Sequence, residues 1–249
     1  PFVKDWDEAD IRFRKDSYWW ERTVSFIRYM KAHCDGKVLI GSPNLISGLD
    51  CLAAIRGTEN LMMDLVMVPD KLKNALEAVN KAFKEVYNAL AEELETEKFG
   101  SISRHGVYSP GRLHVLQCDV SCMISAEMFR EFAMPCLKEE LSVVDHAEYH
   151  LDGPGAIRHL EDVCGLGDVG IIQWQPGAAA SEVDWSQLYR RIDDHGKGQL
   201  FEVSQVDVKR IWRKYNSEKI FFTTHAASRK EAELFLESLD NCKGENNYD

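Results

Sequence analysis

Tyr149-His150-Leu151-Asp152-Gly153-Pro154-Gly155 reads as the end of a short strand that stops in a glycine-proline-glycine turn. Side chains of a strand alternate between its two faces. From residue 146 to 152, one face therefore carries His146, Glu148, His150 and Asp152, and the other carries Ala147, Tyr149 and Leu151. A face of ionisable groups must look onto water, a ligand or a barrel interior. The apolar face packs on something else, most simply helices. The turn ends the strand and opens a helix at Ala156. Ionisable groups at the C-terminal end of a strand that feeds a helix are where α/β barrels hold their chemistry.

The same strand-then-helix rhythm extends on both sides. Upstream, residues 17–33 read as a helix, 37–43 as a buried strand, and the loop from Asn44 to Asp50 leads into a short helix closed by Gly57. A further helix starts at Thr58. From Pro69 to Leu94 the residues Leu72, Leu76, Val79, Phe83, Val86 and Leu90 recur at three- and four-residue steps, one face of a long amphipathic helix. Residues 112–119 read as the next strand. Ser125 is an N-cap for a helix running to about Val144, which Pro135 should kink. Downstream, strands are predicted at 169–174, 199–203 and 219–224, each followed by a helix. Six strands in strict alternation with helices predict a parallel sheet with helices outside it. A closed eight-stranded barrel needs two more units. The chain is read as one domain, with a leading segment over 1–16 and a polar tail over 240–249 that frays.

Composition narrows the class. The 249 residues are 45% hydrophobic and 29% charged, as in ordinary globular proteins. A formal net charge of −11 argues against nucleic acid and anionic membrane surfaces as partners. No apolar run is long enough to span a membrane, and no signal peptide opens the chain. Seven scattered cysteines, with no Cys-x-x-Cys pair, read as reduced thiols of a cytoplasmic protein. Cys118 is expected to be a plain buried thiol.

Parallel strands bring their C-terminal ends together. Asp119 is placed at the end of the second strand, His150 and Asp152 at the third, Gln173 and Trp174 at the fourth, Glu202 at the fifth, and Thr224 and His225 at the sixth. Histidine beside carboxylate suits acid/base work near neutral pH and equally suits a divalent metal. His150, Asp152, His225 and Asp119 are therefore the catalytic candidates. Asn44, Asp50, Gln173, Trp174 and Glu202 are candidates for substrate contact. His150, Asp152 and His225 form the candidate metal set, for zinc or another divalent ion. His33, His105, His159 and His195 sit at helix ends or in loops and are read as structural.

Three blocks, residues 117–135, 149–156 and 172–178, resemble the uroporphyrinogen decarboxylase superfamily, which also contains methylcobalamin:coenzyme M methyltransferases. Ile40-Gly-Ser-Pro43 and Ile55-Arg-Gly57 fit its earlier part. The resemblance implies a (β/α)8 TIM barrel whose first two βα units lie upstream of Pro1. It implies methyl transfer between a methylated small molecule or corrinoid and a nucleophile such as a thiol, with a corrinoid protein as a partner and a homodimer as the assembly. Its alternatives are decarboxylation of a uroporphyrinogen-like tetrapyrrole and corrinoid binding without chemistry. The decarboxylases carry an arginine-rich N-terminal segment that this chain lacks, and a tyrosine where it has Leu49. Asp119 falls where they have a serine, and His225 where they have a histidine. The methyltransferases hold zinc with a His-x-Cys pair and a distant Cys. Here the pair is His150-x-Asp152, a harder ligand set, and the distant position falls near Thr224 or His225.

Overall fold

The computed structural model describes residues 2–180, 183–215 and 217–240. The predicted fraying tail beyond Asp240, with Cys242, lies outside the described residues. The chain forms two compact units, Pro1–Asp184 and Trp185–Asp249. Both are α/β, and in each the longer strands run parallel.

The first unit opens with helices. α1 (Tyr18–Cys34) starts where Ser17 Oγ accepts the amide of Trp20, and stops where Asp35 turns left-handed at φ 49°. α2 (Gly48–Arg56) and α3 (Thr58–Met67) are short and meet at Gly57. α4 (Pro69–Leu94) begins with proline, whose missing N–H costs nothing at a helix start. Its predicted stripe is buried at Leu72, Leu76, Val79, Phe83 and Leu90 and packs on α1, α2 and α7 (Met134–Leu141). A one-turn α5 (Thr96–Phe99) leads into a hairpin of β1 (Ser101–Ile102) and β2 (Tyr108–Ser109).

The sheet of this unit is β3 (Leu113–Gln117), β4 (His146–Asp152) and β5 (Val169–Gln175), parallel and in chain order. Between β3 and β4 lie a 3₁₀ segment (Asp119–Met123), α6 (Ala126–Met128), a π-helical turn (Phe129–Ala133) and α7. Ser125 caps α6 as predicted, its Oγ accepting the amide of Met128 at 3.2 Å. Proline cannot supply an amide to the ladder. The helix answers with the wider π turn just before Pro135, which becomes the second residue of α7. After β4, a 3₁₀ segment (Pro154–His159) and α8 (Leu160–Cys164) carry the chain to β5.

The apolar face of β4 is the core: Ala147, Tyr149 and Leu151 are all buried. One polar pair shares that side of the sheet. His114 of β3 lies 3.3 Å from Glu140 of α7, both buried, beside the rings of Phe83 and Tyr87.

One predicted strand is absent. Residues 37–43 form no regular secondary structure, with Lys37 and Val38 at a bend and exposed, and pair with no strand among the described residues. The apolar triplet Val38-Leu39-Ile40 looks like a strand locally. A ladder also needs a neighbour with free amides and carbonyls, and none is aligned with it. The described parallel strands therefore number five rather than six.

The second unit holds α9 (Ser186–Asp194), β6 (Gly198–Glu202), α10 (Gln205–Tyr215), β7 (Ile220–Thr223) and α11 (Arg229–Asp240). β6 and β7 pair in parallel from Gln199↔Ile220 to Glu202↔Thr223. No helix among the described residues is long and apolar enough to cross a membrane.

Candidate metal centre

The polar face of β4 is used in order along its length. His146, at the start, has its Nδ1 2.8 Å from Ser109 Oγ of the hairpin. Glu148 is fully buried, and its Oε2 accepts from His105 Nδ1 at 2.8 Å. His105, read from sequence as a structural histidine, thus has a defined partner on β4. Arg104 Nε in turn donates to His105 Nε2 at 3.3 Å. The hairpin tip therefore covers the lower half of this face. Ser103 shapes the tip by accepting the amides of His105 and Val107 on its Oγ.

The upper half, at the strand's C-terminal end, is His150 and Asp152, both half-buried. Register puts Gln117, His150 and Gln173 side by side across β3, β4 and β5. His150 Nδ1 donates to Gln173 Oε1, and Gln173 Nε2 donates to the carbonyl of Trp174 at 3.3 Å. The second bond fixes which end of the amide faces the ring. The first fixes the imidazole tautomer and leaves Nε2 with its lone pair free. Gln173, a candidate for substrate contact, is thus engaged in holding His150, and Trp174 is buried.

Asp119 completes the cluster. The sequence placed it at the end of a strand; β3 stops at Gln117, and Asp119 is the first residue of the 3₁₀ segment that follows. Asp119, His150 and Asp152 each offer one ligand atom, and the three atoms lie within 4.8 Å of one another. Asp119 reaches solvent. Partial burial of its carboxyl, then the neighbouring charge of Asp50, raises its pKa above the ordinary value, against the opposing effect of His150. Burial, followed by the charge of Asp152, also pushes up the thiol of Cys122. Cys118 is buried and its thiol is raised well above the usual range, in keeping with an inert core residue.

Asp50 was expected in a loop. It is the third residue of α2, and its carboxylate accepts the amides of Asp119 and Val120 at 2.9 and 3.1 Å. Asn44 is exposed and accepts from Arg104 Nη1 at 2.7 Å. The same Nη1 donates to Gln117 Oε1 at 2.9 Å. His159 is fully buried, stacks on Phe129, and donates from Nε2 to the carbonyl of Ser121 at 2.9 Å. Burial lowers its pKa, so the ring stays neutral. It anchors the same 3₁₀ segment as Asp50.

His225 and Glu202 belong to the second unit. Both are exposed and line a cavity of about 730 Å³ at the C-terminal ends of β6 and β7, together with Gln205, Thr224 and Glu231. Gln205 Nε2 donates to the carbonyl of His225 at 2.9 Å. The metal-competent set that the structure brings together is therefore Asp119, His150 and Asp152, where the sequence offered His150, Asp152 and His225.

One signal could have pointed to His105: the run Ser103-Arg-His-Gly106 is a turn with a cation and an imidazole at its tip. No sequence signal marks the supporting role of Asp50, because an aspartate in the first turn of a helix is ordinarily solvated. A scan of family models finds none that matches the chain, and a search of curated proteins finds no match.

Proposed function

We propose that this chain is a (β/α)8-barrel enzyme of the uroporphyrinogen decarboxylase type that transfers a methyl group between a methylated small molecule or corrinoid and a thiol, with a divalent cation held by Asp119, His150 and Asp152. One observation carries the reading: three ligand atoms from three residues converge within 4.8 Å at the C-terminal end of a parallel strand. The donor set fits such an ion. One imidazole and two carboxylates suit zinc or iron, and three protein ligands leave a position for substrate. The bond from His150 to Gln173 is the orienting contact that metal-binding histidines regularly make.

When bound, zinc supplies Lewis acidity that lowers the pKa of an acceptor thiol. The chain's own residues do the rest. Gln173 holds His150 in one tautomer. Gln117 Nε2 donates to Asp119 Oδ2 at 3.1 Å and keeps that carboxylate turned toward the cluster. The Arg104–His105 hairpin tip closes the face below His150 against water. The parallel strands of both units, each followed by helix, support the barrel as the proposed fold.

Purified protein is assayed for zinc, iron, cobalt and nickel after growth with supplementation. About one ion per chain is expected in the wild type and none in His150→Ala or Asp152→Ala. Zinc at 100 times its Kd should stabilise by about 2.7 kcal/mol. That corresponds to a rise in Tm of about 5–11 °C for a chain of this size. Methylcobalamin and 2-mercaptoethanol are then the donor and acceptor in a transfer assay. A wild type without stoichiometric metal and without thermal gain on adding it would sink the proposal.

A further inference from the structure

We infer that Asp50, together with Gln117, is the positioning residue for the Asp119 ligand, and that it sets the affinity of the metal centre without touching the ion. The inference rests on the proposed cation site and deepens it. Asp50 is only 8% exposed, although it is a carboxylate within a helix. Burying such a group is unfavourable unless its oxygens are satisfied. Among the described residues, the donors to them all come from one distant place, about seventy residues along the chain. Oδ2 takes the Asp119 amide at 2.9 Å and Gln117 Nε2 at 3.3 Å, and Oδ1 takes the Val120 amide at 3.1 Å.

These contacts fix Asp119 from both directions. The backbone of residues 119 and 120 is held by Asp50 itself. The side chain is held by Gln117, whose Nε2 is shared between Asp50 Oδ2 and Asp119 Oδ2. Gln117 cannot rotate away easily, because its Oε1 accepts from Arg104. Stability alone does not call for a carboxylate at position 50. A second carboxylate there repels that of Asp119. An uncharged acceptor would hold the 3₁₀ turn without that repulsion. What the carboxylate adds is two oxygens for three donors, so that both amides and the Gln117 amide are held at once. A ligand fixed in place before the ion arrives loses less freedom on binding.

The test is zinc affinity, measured by competition with a chromophoric chelator, for wild type, Asp50→Asn, Gln117→Ala and Val24→Ala. Val24 is buried in α1, which packs on α4, and serves as a control for loss of stability alone. Asparagine has one acceptor oxygen where Asp50 uses two, so Asp50→Asn should weaken zinc binding by about 10–100-fold. Gln117→Ala should weaken it by about tenfold and remains informative if Asp50→Asn does not fold. Val24→Ala should lower Tm and leave the Kd unchanged. If Asp50→Asn or Gln117→Ala binds zinc within about twofold of a zinc-binding wild type, the positioning role is wrong and the cation site stands. If Val24→Ala weakens zinc as much as they do, the effect is one of stability and the inference is equally overturned. A wild type that binds no zinc removes the site and this inference together.

Discussion

Gly155 packs against the segment that carries Asp119, and replacing it with alanine should damage the fold and the proposed metal centre together. A β-carbon there would lie 2.7 Å from the carbonyl oxygen of Cys122, 3.1 Å from its Cβ and 3.2 Å from its Cα. The obstacle is backbone, which cannot swing aside as a side-chain tip can. The 3₁₀ segment Asp119–Met123 must therefore move. Overpacking of this kind costs about 1–3 kcal/mol. At about 2–4 °C per kcal/mol for a chain of this size, Tm should fall by about 2–12 °C. Gly153 is the natural control. It sits at φ 78° and ψ 152°, where side-chain-bearing residues are strained, yet its β-carbon would meet nothing within 4 Å. Gly153→Ala should thus lose a similar about 1–3 kcal/mol from backbone strain alone. The two variants part company at the centre. Gly155→Ala displaces Asp119 and should weaken zinc binding by about tenfold, as loss of a supporting contact does. Gly153→Ala should bind zinc like the wild type. Calorimetry and chelator competition on the three proteins decide the matter. Wild-type stability in Gly155→Ala refutes the packing argument. Equal zinc affinity in the two variants refutes the link from Gly155 to Asp119.

The other predictions concern buried charge. The pKa of Asp64 is lowered overall: burial, the largest influence, acts upward, but hydrogen bonds from Arg56 and from the Trp6 indole outweigh it. A depressed carboxyl contributes stability above its unfolded pKa and loses it as pH falls through the folded value. Tm should therefore drop on acidification below about pH 4, and Asp64→Asn should flatten that part of the curve; an unchanged acid limb in Asp64→Asn contradicts the assignment. For the buried His114–Glu140 pair, Glu140→Ala should cost about 3–5 kcal/mol, whereas His114→Phe with Glu140→Leu should be neutral or stabilising, by chemical denaturation. A double variant as unstable as the single one would show that the pair is needed. His105→Ala leaves the fully buried Glu148 without its partner and should cost about 1–3 kcal/mol, and a loss near zero would mean that the hairpin contact is idle.

Most elements were legible because their signals are local. The helix Pro69–Leu94 shows its stripe in sequence, and the strand His146–Asp152 shows its period of two. What failed was non-local. Residues 37–43 have a strand's composition, but only the three-dimensional neighbour decides whether an extended segment joins a ladder. The hairpin strands are two residues each, too short to have a period. Asp50 and His105 gain their roles from partners 69 and 43 positions away, and no spacing rule reaches that far. His150 and Asp152 could be placed side by side from sequence because one strand delivers both. Asp119 was placed beside them for a slightly wrong reason, since the turn after its strand, not the strand, carries it there.

The hairpin Ser101–Ser109 is fastened to β4 at two points, through Ser109 on His146 and through His105 on Glu148. A third tie runs from its tip to the neighbouring strand, where Arg104 donates to Gln117 Oε1. Gln117 in turn holds Asp119, so the tip is linked to the proposed centre by one side chain. Loop changes that keep Arg104 should leave the proposed ligands in place, whereas losing Arg104 should free Gln117 and loosen Asp119.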